Sequence, residues 1–336
     1  MLSVRHLVDV PDDFMAGHPE GSAFYKAFAK AELPGFDLGC LQVLKSEEVV
    51  LTAPYFVMDF NMGTMMSSGW AKSMLSRINL KIACVGHPSA DLGHLSGQVT
   101  EATLGMVNAE LQRLAPIVCY KGFGPDLPLQ DFARVEGLPV PVLDVSADFW
   151  QRISSRRRRD LNRQLKYSAN LKFVETDGLP SQWVDRVHEL YLATHHRSDT
   201  QFERLNREYF LTTSDLSKYL LFFEGEELIG FAQTLCAHGQ MMHKYVGMDY
   251  ERNRQYRLYF ALFLKAIDIC IRDGLTKLDT GVTAYDFKRH LGSRMQPTWI
   301  YYQHNNPLAN WLLQRFAFLL KPDDSELHGV EAPPSA

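Results

Sequence analysis

Apolar residues repeat along this chain with two periods, and the places where one gives way to the other set out its elements. Ser22 to Glu32 has helical spacing and is stopped by Pro34-Gly35. Residues 41–45 and 49–57 are rich in β-branched and aromatic side chains and flank Ser46-Glu47-Glu48, which predicts a hairpin. A short helix near 68–78, a strand over 81–85, a loop over 86–97, a helix over 100–115 and a strand over 117–121 follow. The Gly/Pro-rich stretch 121–129 then leads to a strand over 138–145.

Beyond residue 145 the pattern is more regular. Trp150 to Leu165 and Gln182 to His195 have helical spacing, and Arg204 to Thr213 reads as a shorter helix. Three strands come next, over 218–224, 228–237 and 241–248, with short glycine-bearing connections that predict antiparallel hairpins. A long helix over 257–274 ends at Gly274. A strand over 276–280, a short polar helix near 284–291, a strand over 297–303 and a helix from Asn310 to Leu320 complete the pattern. The remainder reads as a frayed tail.

This order resembles the GNAT acyltransferase fold, and the first half repeats it in truncated form. By residue, 278–302 resembles the FemAB-like branch, in which a strand ends at a glycine, Phe-Lys and a further glycine follow, and a last strand closes the sheet. Phe287-Lys288 and Gly292 match that pattern. The basic segment 154–178 and the hairpin over 224–233 resemble the same branch. The resemblance implies an α/β (α+β) protein of two GNAT-like domains with mixed, mostly antiparallel sheets flanked by helices. A truncated domain would cover residues 1–145, the working domain 146–322, and a flexible tail 323–336.

The implied activity is transfer of an acyl group from a CoA or carrier-protein thioester to a primary amine. No tightly bound cofactor is implied, and acyl-CoA or an acyl carrier protein would be the co-substrate. Where CoA-binding members carry Arg/Gln-x-x-Gly-x-Gly/Ala, this chain reads Arg254-Gln255-Tyr256-Arg257-Leu258-Tyr259, with Arg257 and Tyr259 at glycine positions. A backbone cradle for pyrophosphate at a helix start needs those glycines. Arg252, Arg254 and Arg257 are therefore the candidates for holding the donor's phosphates with side chains.

Composition narrows the alternatives. With 46% apolar and 22% charged residues in 336, the chain has an ordinary globular make-up. Its net charge of −4 gives no general attraction to nucleic acid or anionic membranes. The beginning lacks a signal-peptide run and no stretch reaches the ~20 apolar residues of a membrane helix, so a cytoplasmic protein is expected. The five cysteines form no CxxC pair and read as reduced core residues. His87, His94 and the pair His195-His196 fit no metal-ligand spacing, and no P-loop, nucleophile elbow or dinucleotide fingerprint is present.

The candidate chemistry gathers around 279–292. Gly281 and Gly292 bracket a loop at the open end of the expected sheet, where ligands of such sheets bind, unless they are a plain turn and a helix stop. Lys288 is a candidate for stabilising the oxyanion, with a solvated lysine as the plainer alternative. Asp279 could accept the amine's proton or form an ion pair with Arg289 or Lys288. His243, central in its strand, is a second candidate base, against a satisfied half-buried histidine. Tyr245 is expected on the same face, and Tyr285 joins the catalytic candidates. Residues 152–166 carry seven basic side chains against Asp160 alone, an anion-binding patch or a solvated face. That helix favours an alternative reading, a Fem-type transferase using aminoacyl-tRNA, with tRNA as a partner not favoured by the acidic balance. A non-catalytic GNAT-like binding protein is the third reading.

Overall fold

The computed structural model describes residues 1–61, 79–197, 202–282 and 284–321. The helix expected near 68–78 and the tail at 323–336 lie outside these residues. The strands in chain order are β1 (Leu2–Leu7), β2 (Asp37–Lys45), β3 (Glu48–Asn61), β4 (Asn79–Val85), β5 (Ser96–Gly97), β6 (Ile117–Phe123), β7 (Ala133–Glu136) and β8 (Val140–Asp144). They continue as β9 (Lys172–Asp177), β10 (Ser217–Glu224), β11 (Glu227–Ala237), β12 (Gln240–Met248), β13 (Lys277–Asp279), β14 (Arg294–Gln296) and β15 (Trp299–His304). The helices are α1 (Ser22–Lys30), α2 (Glu101–Leu114), α3 (Phe149–Arg152), α4 (Ser155–Tyr167), α5 (Val184–His195), α6 (Arg207–Thr212), α7 (Tyr250–Tyr256), α8 (Leu258–Arg272), α9 (Tyr285–Leu291) and α10 (Pro307–Arg315). No described helix is long and apolar enough to cross a membrane.

The chain divides into two compact units that are not consecutive halves. Of the described residues, the first takes Met1–Ala16, Pro34–Val140 and Gln296–Lys321, and the second takes Gly17–Leu33 and Pro141–Met295. The boundary expected at 145 is therefore crossed by α1, which belongs to the second unit, and by β15, which belongs to the first. The last strand does not close the second sheet as expected. It inserts between β6 and β7, its Tyr301 opposite Tyr120 on one side and Arg134 on the other.

In the first unit the sheet order is β1-β2-β3-β4-β6-β15-β7, with β5 on β3. Helix α2 covers one face, where Leu104, Val107 and Leu111 meet Val43, Ala53, Val118 and Tyr120. Its start is set by Thr100 and Thr103, which cap one another's backbone N–H groups. The strands β1 and β7 carry little sequence signal, because both are short: β1 has six residues and β7 four.

The second unit's sheet runs β14-β8-β13-β12-β11-β10-β9. One face packs on α8: Leu220, Phe222, Ile229, Ala232 and Met241 meet Leu258, Leu262 and Ile267, with Leu161 of α4 and Phe287 and Leu291 of α9 in the same cluster. Each large side chain buried there contributes roughly 1.5–3 kcal/mol. The other face packs on α5 and α6 through Tyr191, Tyr209 and Phe210. There Gly247 is required, because a Cβ at that position would lie 2.6 Å from the Leu190 carbonyl carbon of α5. The single helix expected over 150–165 is broken at Ile153, and α4 restarts at Ser154, whose Oγ accepts the Arg157 N–H at 3.2 Å.

Candidate active site

The site follows from how β12 and β13 part. They pair in parallel only over Gln240–Met242 and Lys277–Asp279. Past Asp279 the chain turns toward β8, because the Thr280 N–H and Oγ1 both donate to the Pro141 carbonyl, at 3.1 and 2.9 Å. Strand β12 runs on to Met248. Among the described residues no backbone hydrogen bond closes its β13-side edge beyond Met242.

The turn leaving β13 is built by three of the expected residues. Asp279 Oδ1 accepts the Gly281 N–H at 2.8 Å, and Gly281 has φ of +69°, a conformation that glycine takes without steric cost. Lys288 reaches back from α9 and donates to the carbonyls of Gly281 at 2.6 Å and Val282 at 3.0 Å. It is only 1% exposed, so it is a buried cation that fastens the turn rather than a solvated side chain. Gly292, with φ of +101°, ends α9: the Ser293 N–H returns to the Lys288 carbonyl at 3.0 Å. Tyr285 is fully buried in the first turn of α9, with the Arg289 guanidinium 5.8 Å from its ring centroid.

His243 is the first residue of β12 beyond the paired segment. Its ring stacks on Phe263 of α8 at 4.4 Å and 14°, and the Lys288 ammonium lies 5.7 Å from the same Phe263 ring. The imidazole is 5% exposed, and among the described residues neither ring nitrogen has a hydrogen-bond partner. Burial first, and the Lys288 charge second, pull its pKa down to about 3. Such an imidazole is neutral across the physiological range and has little affinity for a proton. It is suited to donate one hydrogen bond and accept another, not to serve as a general base.

Tyr245 does not share the face of His243. The β11–β12 register slips by one residue, with Gln233 opposite Tyr245 and Thr234 opposite His243, so Lys244 is an extra residue in β12. The bulge turns Tyr245 to the α5/α6 side, edge-on to Tyr191 and Tyr209 at 5.6 and 5.5 Å. Its hydroxyl donates to Glu203 Oε1 at 2.5 Å, and burial followed by that carboxylate raises its pKa well above the usual phenol value. Lys244 forms a buried ion pair with Glu20 on the same side. Below them the Gln233 amide is fully engaged: it donates to Thr213 Oγ1 and Ser217 Oγ at 3.0 and 2.9 Å and accepts from Tyr209 at 3.1 Å. Sequence reasoning missed this polar layer. Its signal was the His243-Lys244 pair inside a strand, which breaks the two-residue alternation.

The three arginines proposed for phosphates diverge. Arg252 is held by Glu224, Glu227 and Asp249 at 2.8, 2.7 and 2.5 Å. Arg254 is exposed on α7. Arg257 joins α7 to α8 with φ of +55°, a left-handed conformation that costs a residue other than glycine roughly 1–2 kcal/mol. Its guanidinium lies 5.6 Å from the Tyr167 ring centroid, and its Nε is buried with no partner among the described residues. The long helix expected over 257–274 thus begins at this joint, and α7 replaces the glycine-rich turn. A separate cleft of about 270 Å³ opens between α5 and the end of β12, floored by Leu190, Ala193 and Met248.

Residues 152–289 match the model of the GNAT acetyltransferase domain. Among solved structures, the chain is similar to the C-terminal domain of a putative lysylphosphatidylglycerol synthetase from Agrobacterium fabrum, at 11% identity over 91% of this chain and 93% of that one, with a TM-score of 0.56. It is similar to FemX at 10% identity over 86% of this chain and 93% of the other, TM-score 0.54. It is also similar to a tandem GNAT protein from the clavulanic acid biosynthesis pathway, at 12% identity over 91% and 99% of the two chains, TM-score 0.51. At these identities the likeness is one of fold. Among curated proteins no sequence matches.

Proposed function

We propose that this chain, whose residues 152–289 match the GNAT acetyltransferase domain, is a FemAB-like acyltransferase that moves an acyl group from a CoA or carrier-protein thioester to a primary amine where β12 and β13 part. The observation that carries this reading is the open edge of β12 beside two buried polar groups, the Lys288 ammonium and the unpartnered His243 imidazole. A thioester lying along that edge finds backbone groups to pair with and, at its reacting end, a neutral imidazole able to donate to the carbonyl oxygen. As the amine nitrogen attacks, a C–N bond forms, the carbonyl oxygen becomes negative, and collapse breaks the C–S bond. The field of Lys288 favours that negative charge in a low-dielectric setting without the ammonium leaving its two carbonyls. The amine's proton goes to Asp279 or to water, because His243 is too weak a base. Arg254 and Arg257 are the cations left to meet a donor's phosphates in this reading, whereas Arg252 is occupied by carboxylates. A donor of this kind fits a cytoplasmic protein.

A second reading, transfer from aminoacyl-tRNA, is favoured by the basic helix α4. Thiol release from short- and long-chain acyl-CoA and from acylated carrier protein, measured against a panel of primary amines, decides between them. Amine-dependent thiol release is the expected result. If no thioester is consumed while aminoacyl-tRNA is deacylated in the presence of an amine, the thioester reading is wrong.

A further inference from the structure

Helix α4 has two unlike faces. Leu161 is fully buried in the α8 cluster and Leu165 is packed against it. On the other side Arg156, Arg159, Arg163 and Lys166 are all exposed, at spacings that place them along one stripe of the helix. The stripe is about 15 Å long at 1.5 Å per residue. Arg163 is paired with Asp160 at 2.7 Å, while among the described residues Arg156, Arg159 and Lys166 form no ion pair. A run of cations on a chain of net charge −4 is a local feature and not part of a general basic surface.

The stripe is tied to the site. Asp160 Oδ2 of α4 accepts a hydrogen bond from His290 Nε2 of α9 at 3.1 Å, and a Cβ on Gly292 would lie 3.4 Å from the Arg157 guanidinium. Helix α9 also carries Lys288, which fastens the turn at the split. At the C-terminal end of the stripe Tyr167 is 48% exposed beside the Arg257 guanidinium. A partner seated on α4 therefore has its contact surface one helix away from the reacting centre, with a cation and an aromatic ring at the edge nearest α8.

We infer that the exposed stripe of α4 docks an acidic carrier protein that delivers the acyl thioester to the split. The inference rests on the thioester reading above and selects one donor class within it. Charge complementarity calls for an anionic partner, and a straight line of charge the length of one short helix suits a helix of a small acidic protein lying alongside. The phosphates of a free CoA would engage one end of such a line. A long RNA would run beyond it, over the surface of an acidic chain, where repulsion opposes it. Arg and Tyr together are also the side chains that protein interfaces favour.

The test compares wild type with R156E/R159E/K166E and with the milder R156Q/R159Q/K166Q, checked first for an unchanged melting temperature. Probes are holo-acyl carrier protein, its acylated form, the matching acyl-CoA, and total tRNA. Wild type is expected to bind the carrier protein by calorimetry with an affinity that falls as salt rises. The charge-reversal variant should lose at least about tenfold in that affinity and in kcat/KM with the acylated carrier, through KM, with the neutral variant between them. Turnover of acyl-CoA should stay within about twofold, since none of the three side chains lies in the site. Equal binding of the carrier by all three proteins, no binding by wild type, equal losses with both donors, or binding of tRNA in its place overturns the proposal. If neither thioester turns over, the acyl-transfer reading fails, and the binding measurement still decides the docking surface.

Discussion

The two units share a topology and differ at one spot. In each, an antiparallel run of strands is followed by a helix and then a parallel strand: β4, α2 and β6 in the first, and β12, α8 and β13 in the second. Both parallel pairs come apart after a few residues. In the first unit the pairing ends at Val85 opposite Tyr120, and the edge of β6 beyond it is filled by the unit's own loop. The Gly93 N–H donates to the Gly122 carbonyl at 2.9 Å, and a Cβ on Gly122 would sit 2.4 Å from the Asp91 carbonyl oxygen. In the second unit no described backbone fills the edge of β12, and the groups beside it are polar and buried. A shared fold therefore supplies a gap in both units, and among the described residues it is filled in the first and left open in the second.

That contrast can be broken by experiment. A fragment beginning at Ser146 lacks α1 and β8, both of which belong to the second unit, so it should neither unfold cooperatively nor turn over substrate. A soluble, active fragment with a sharp thermal transition would show that the second unit stands without them. Lys288→Met keeps the length of the side chain and removes the donor and the charge. Turnover should fall on the order of 100-fold, with a stability loss of about 1–3 kcal/mol from two deprived carbonyls. Wild-type rates in that variant would take Lys288 out of the mechanism.

Gly122→Ala tests the filled gap. The new Cβ meets the 91–93 loop at a φ of +81°, so stability should drop by about 1–3 kcal/mol in a denaturant titration. Turnover per folded molecule should not change, and a selective loss of activity would mean that the first unit also carries chemistry.

His243 gives the most diagnostic effect, one that appears only on acidification. Above pH 6.5 the ring is neutral whether the protein is folded or unfolded, so it adds no pH dependence. Below that, the unfolded chain takes up a proton that the folded one refuses until about pH 3. Relative to His243→Leu, wild type should lose up to about 1.4 kcal/mol of stability per pH unit on acidification from 6.5. A flat difference between pH 4 and 6.5 would mean that the imidazole is charged or solvated in the folded state, and the role given to it here would be withdrawn.

Much of this was legible in the residues. The β10–β12 hairpins and α8 declare themselves through turn glycines and an apolar stripe, and Gly281, Lys288 and Gly292 were singled out by the resemblance of 278–302 to the FemAB-like pattern. What periodicity could not show was long-range. The partner of β15 is chosen by sheet pairing more than a hundred positions away, which no local pattern encodes. The bulge at Lys244 inverts every side chain after it, so Tyr245 was expected on the face it avoids. Arg252 reads from sequence as an available cation, and only the folded chain brings Glu224 and Glu227 to it.

The place of β15 has a consequence for how the protein is made. Its neighbours β6 and β7 leave the ribosome long before it, with their facing edges unpaired while the whole second unit is still being synthesised. Unpaired strand edges are templates for association with other chains. The first unit is thus begun first and finished last, and a pause or premature stop after residue 295 would release a molecule whose second unit is complete and whose first is a sheet missing an inner strand.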